Sequence, residues 1–149
     1  MEYSQTPPDE LRELYAKGTV KQRYHVALQR IENPHVGPGQ LVNIMSALEG
    51  FARSVALHAR VRSGASFDAA YAELRNVGPV ALLEKHICPA YSTTPKDAFG
   101  EAWSQLPEAV SFRNLLVHEA TSLHGGTSAR LVAAARHIFD KVAAMAGAV

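Results

Sequence analysis

Cysteine is nearly missing from this chain: Cys88 is the only one among 149 residues, so no internal disulfide can form. That fits a reducing cytoplasm, and a disulfide-stapled miniprotein is excluded. No apolar run approaches the roughly 20 residues that cross a bilayer as a helix, so no membrane association is expected. The opening stretch, MEYSQTPPDE, has neither a basic region nor an apolar core, so no secretory signal is expected there. An excess of one charge is missing too. Fifteen basic side chains against fourteen acidic give +1, which is not the footprint of a basic-armed nucleic-acid binder. Any such role must come from a local site.

An apolar fraction of 47% is typical of a globular protein and too high for a disordered one. The length suits one domain on the usual scale of roughly 100–200 residues. Such a chain buries roughly two-thirds of its unfolded surface and needs no staple to fold.

Strict apolar–polar alternation, the mark of half-buried strands, is hard to find, whereas helical periodicity runs almost throughout. A first helix is expected from about Asp9 to Lys17, after Pro7-Pro8 and before Gly18. A second runs from Val20 to Glu32, ended by Asn33-Pro34, and His35 to Gly39 reads as a turn. The longest pattern spans Gln40 to Arg62. Its Leu41, Ile44, Met45, Leu48, Ala52, Val55 and Ala59 share one face, and Ser63-Gly64 closes it. Ser66 and Asp68 start a short helix to about Asn76. Gly78-Pro79 restarts the chain into Val80–Ile87, and Pro89 is expected to stop it. Tyr91 to Pro95 reads as a loop, the best candidate for a mobile segment, and Lys96 to about Gln105 as helix. Pro107 is placed in the first turn of a further helix reaching Leu123. Gly125-Gly126 is expected to break that helix, and Thr127 or Ser128 to cap an alanine-rich one ending near Met145. The expected fold is an all-α single domain over residues 1–149, a bundle of about five main helices plus short ones.

Several apparent motifs fail on spacing. His118-Glu119 with His124 suggests zinc, but the two imidazoles are six residues apart, roughly 240° around a helix, where a metalloprotease helix needs four. His86 and Cys88 offer two ligands with no partner pair. No metal site and no cofactor is expected. Gly37-Pro38-Gly39 and Gly125-Gly126 lack the Lys-Ser/Thr of a phosphate loop and read as turns. Cys88 sits in no nucleophile motif.

The segment Ser111-Phe112-Arg113-Asn114-Leu115-Leu116-Val117-His118 is different. Wound as a helix, Phe112, Leu116, Ala120 and Leu123 fall on one side, flanked by Leu115, while Ser111, Asn114, His118 and Ser122 fall opposite. Arg113 lies about 140° around the axis from His118 and can swing its guanidinium toward the polar side. On spacing alone, an Arg and a His on an amphipathic helix also fit a plain solvated face.

Arg113-Asn114-x-x-x-His118 resembles the signature of the HEPN superfamily, small all-α domains of which many are ribonucleases in toxin–antitoxin, defence and RNA-processing systems. The match includes a polar residue directly after Arg and the position in the penultimate long helix. The resemblance implies a metal-independent endoribonuclease acting as a homodimer, so that two motifs line one cleft. Arg113, Asn114 and His118 would be catalytic. A His can pass a proton near neutral pH, and a guanidinium matches phosphate oxygens two at a time. Members also place an acidic residue on an early core helix facing the motif. Glu49 fits that place beside Ser46 and Arg53, although a Glu49–Arg53 surface pair explains the same spacing. Glu49, Arg53 and Ser111 are therefore supporting residues. One branch of the superfamily carries Tyr two residues after the His. Here that residue is Ala120, which removes regulation through such a tyrosine. RNA is the implied partner, with a cognate antitoxin or nucleotidyltransferase as a possible second one. Two alternatives stay open: a HEPN-like domain that binds RNA, a nucleotide or a partner without cutting, and an unrelated helical interaction protein. The dimer surface is open as well, between the motif helix and the helices carrying Tyr15 and Tyr24.

Overall fold

The computed structural model describes residues 7–33, 39–118 and 125–149. The expected turn after Pro34 and the end of the motif helix, with Ala120, Ser122, Leu123 and His124, lie outside them. Among the described residues the chain is all helical, with no strand, and forms one compact domain. The helices are α1 (Pro8–Ala16), α2 (Val20–Glu32), α3 (Gln40–Arg62), α4 (Phe67–Leu74), a composite α5, α6 (Pro95–Phe99), α7 (Ala102–His118) and α8 (Gly125–Met145). The composite α5 joins an α-helical turn Pro79–Ala81, a π-helical turn Leu82–Ile87 and an α-helical turn Cys88–Ala90.

The start signals are local. Thr19 accepts a hydrogen bond from the Gln22 backbone N–H at 3.1 Å, and the Gln22 side chain accepts from the Thr19 N–H at 2.9 Å. This reciprocal box satisfies two donors that a helix start leaves open. Ser66 and Thr94 cap α4 and α6 by a single bond each, their hydroxyl oxygens accepting from the Ala69 and Asp97 backbone N–H groups.

The expected stripe on α3 is buried, and so are residues outside it, among them Phe51, Ala56 and Leu57. A helix apolar on nearly all sides belongs in the middle of a bundle. α3 packs against α2, α4, α5, α7 and α8. Tyr24 of α2, Phe51 of α3 and Phe139 of α8 meet with ring centroids 5.3–5.8 Å apart. These offset and tilted contacts add to area burial. Around them lie Met45, Leu48, Leu82, Leu83, Phe99, Leu106 and Ile138, all fully buried.

Three expected boundaries differ from the structure. The helix expected to stop before Pro89 continues to Ala90. The Cys88 N–H bonds back to the Leu83 carbonyl, five residues earlier, and this wider turn accommodates a proline that would clash with an ordinary α-turn. The break expected between Gln105 and Pro107 falls at Gly100, whose φ of 61° and ψ of −139° suit glycine alone. Pro107 then lies inside α7, in its second turn, where it removes one backbone hydrogen bond. Gly125 and Gly126, expected as a break, form the first turn of α8.

Candidate functional site

α7 lies against α3 and α8 and brings the motif residues to the bundle surface. Phe112 and Leu116 are half-buried against the core, as the helical wheel requires. Ser111, Asn114 and His118 are exposed on the outer arc. Arg113 reaches one of them, Asn114, while the end of its guanidinium turns toward α3. Its side chain is 19% exposed and turns toward α3, where Nη2 lies 3.8 Å from Glu49 Oε1. Its Nε donates to Asn114 Oδ1 at 3.0 Å.

Glu49 also contacts Arg53 one helical turn on, with Nη2 at 3.4 Å from Oε2. The surface pair and the acid facing the motif are thus the same carboxylate, shared between two guanidiniums. Arg53 is 14% exposed and fixed from its other side: Nε donates to the Leu74 carbonyl at 3.1 Å and Nη2 to the Val77 carbonyl at 2.7 Å. Burial lowers the Arg53 pKa from its ordinary value, and the Glu49 carboxylate opposes that shift. Arg53 therefore ties α3 to the end of α4 and the segment before α5 while presenting charge to Glu49.

Arg113, Asn114, Glu49 and Arg53 are brought together. Ser111 and His118 are not bonded to that group. His118 closes the described part of α7 and makes no hydrogen bond or ion pair among the described residues. Exposed Leu115 (43%) and Val117 (51%) alternate with Asn114 and His118 along the same surface.

Elsewhere the chemistry is quieter. Cys88 is fully buried, and burial pushes its thiol up to about 11, which leaves little thiolate near neutral pH. Burial lowers the His86 pKa, against the opposing pull of Glu73. Among the described residues no three His, Cys, Asp or Glu side chains gather as metal ligands, and no helix is long and apolar enough to cross a membrane.

Sequence reasoning passed over one cluster. Arg12 of α1, Arg23 of α2 and Arg53 of α3 line a cavity with Tyr15, Ser54 and Tyr71. The available signal was Gly50, a glycine inside a long helix, where it costs stability unless something approaches closely. Arg23 Nη2 lies 3.3 Å from the place a Cβ on Gly50 would occupy.

No family model matches the chain, and neither a curated protein nor a solved structure matches it.

Proposed function

We propose that this chain is a metal-independent endoribonuclease of the HEPN type. The observation that carries the reading is the approach of Glu49 Oε1 to Arg113 Nη2 at 3.8 Å. It joins an acidic residue of an early core helix to the arginine of the Arg-Asn-x-x-x-His motif. Arg113 keeps Nη1 free of partners among the described residues, so part of its fork remains for a phosphate.

In the reaction the RNA 2′-oxygen attacks the adjacent phosphorus as His118 takes the hydroxyl proton. The bond from phosphorus to the 5′-oxygen breaks, and His118 of a second copy supplies a proton to the leaving oxygen. The products are a 2′,3′-cyclic phosphate and a 5′-hydroxyl. Arg113 from each copy stabilises charge on the phosphoryl oxygens. A two-fold dimer through the outer face of α7 would cover Leu115 and Val117 while bringing both motifs together. Tyr24 is a poorer dimer element, because its ring stacks on Phe139 within the chain.

A second reading, RNA or nucleotide binding without cutting, is favoured by His118, which lacks an orienting partner among the described residues. Incubating end-labelled RNA with the wild type and with His118→Ala, in buffer containing EDTA, separates the two. Cyclic-phosphate products lost in the variant support the nuclease. Binding without cutting supports the second reading, and neither binding nor cutting overturns both.

A further inference from the structure

Helices α1, α2, α3 and α4 line an open cavity of about 150 Å³ whose walls carry three guanidiniums, Arg12, Arg23 and Arg53. Within 4.0 Å of these three, Glu49 supplies the only carboxylate among the described residues, and it reaches Arg53 alone. Arg53 is fixed on the Leu74 and Val77 carbonyls, and Arg12 Nη1 lies 3.4 Å from Asn76 Oδ1. Arg23 has no such anchor. Its guanidinium lies over the Tyr15 ring at 5.3 Å, and its buried Nε has no hydrogen-bond partner. Ser54, only 2% exposed, projects from α3 to the same cavity, and its hydroxyl also has no partner.

Buried polar groups in native proteins are nearly always paired, so two orphans beside one cavity call for an explanation. Gly50 adds to it. With no side chain there, the Arg23 guanidinium can lie directly against α3. Burial lowers the Arg23 pKa, Tyr15 opposes that shift, and the Arg53 charge adds a smaller lowering. The chain thus keeps two like charges close together without a counterion between them, an arrangement that costs folding stability and that an anion would relieve.

We infer that this cavity binds a small phosphate monoester through its phosphoryl group. Glu49 is shared with Arg113 and reaches only Arg53 of the three, so the cavity keeps an excess of positive charge that suits a phosphate monoester, which carries roughly −1.5 to −2 near neutral pH. Guanidinium forks suit phosphoryl oxygens, and they supply more donors here than a two-oxygen carboxylate can accept. The Ser54 hydroxyl donates to one of those oxygens, and the Tyr15 and Tyr71 rings wall the remainder of the ligand. The volume is several times the roughly 30 Å³ share of a water molecule, enough for a phosphoryl group and a short remainder. This site uses neither His118 nor Arg113, and it meets the proposed nuclease site only at Arg53, through Glu49.

The test is calorimetric titration of the full chain with inorganic phosphate, ribose 5-phosphate, unphosphorylated ribose and a 5′-phosphorylated oligoribonucleotide. Saturable binding of the two small phosphates, with none of ribose, is expected. Arg23→Met should weaken it about tenfold or more by removing one fork. It should not lower the melting temperature of the ligand-free protein, because it removes a charge that has no counterion. Ser54→Ala should weaken binding by roughly 3- to 10-fold through one lost hydrogen bond, and it provides a second variant should Arg23→Met misfold. His118→Ala should bind as the wild type does. Absence of saturable binding of either small phosphate overturns the proposal, as does affinity unchanged in both Arg23→Met and Ser54→Ala. Binding of the oligonucleotide alone overturns the small-molecule assignment.

Discussion

Replacing Glu49 with Gln keeps the size of the side chain and removes the one negative charge shared by Arg53 and Arg113. The two contacts, at 3.4 and 3.8 Å, lie on side chains only 14–26% exposed. A unit pair about 4 Å apart is worth roughly 4 kcal/mol at an effective dielectric constant of about 20. Desolvation offsets most of that, and fully exposed pairs retain only about 0–1 kcal/mol. For a carboxylate three-quarters buried between two cations, the net loss should be about 1–2 kcal/mol. Arg53 cannot retreat from the exposed repulsion, because two backbone carbonyls hold it. At about 2–4 °C per kcal/mol for a chain of this size, Glu49→Gln should melt roughly 2–8 °C below the wild type. Circular dichroism melts in low salt measure this, and part of the deficit should vanish in about 1 M salt, where the Debye length is about 3 Å. A double-mutant cycle with Arg113→Met should return a coupling above about 0.5 kcal/mol. A melting temperature within about 1 °C of the wild type, together with zero coupling, would refute the idea of a shared carboxylate.

On the proposed activity, Arg113→Lys should cut RNA about 30- to 1000-fold more slowly, since an ammonium cannot replace a planar fork. Near-normal cleavage by the Lys variant would reduce Arg113 to a diffuse charge. His118→Ala should lose about 10²–10⁴-fold in rate while retaining RNA binding, measured by filter binding beside single-turnover cleavage. Val117→Asp, at a site already half exposed, should leave the melt unchanged but convert a dimer to a monomer in sedimentation; a dimer that persists would move the interface off α7. Cys88 should resist a thiol-reactive dye near pH 8 until the chain is unfolded. Because its folded thiol ionises only near about 11, the unfolded thiol ionises first. Native stability should therefore decline as pH climbs from the ordinary thiol range through that value, and a Cys88→Ala melt should lack that decline.

The ends of α2 and α3 were legible in the sequence because each sits between strong local signals. Asn33 follows the last periodic residue of one, and Ser63-Gly64, with Gly64 at φ 105°, closes the other. The composite α5 and the break at Gly100 were not legible, because punctuation by Gly and Pro is ambiguous where tertiary packing decides. Pro89 looks like a stop, yet a single π-helical turn makes room for it. Pro107 looks like a start, yet Gly100 takes the one conformation that no other residue adopts easily.

The same limit governs the sites. Helical-wheel geometry placed Asn114 and His118 outward, since those positions follow from spacing on one long helix, whereas Glu49 was set near the motif only by the HEPN resemblance. It allowed Arg113 to reach Asn114 but gave no sign of its contact with Glu49, because a long side chain also goes where the neighbouring helix offers a charge. It missed Arg23, because an arginine on a polar-looking helix is assumed to be solvated, and only the packing of four helices shows which cation lacks a counterion. Two adjacent strips of α3 now account for both sites. Glu49 and Arg53, one turn apart, form the strip that meets Arg113. Gly50 and Ser54, one residue on, form the strip that faces the cavity. Arg53 belongs to both, so an anion bound in the proposed cavity site and a phosphate bound at Arg113 would both act on the Arg53–Glu49 pair, through contacts already present in the structure.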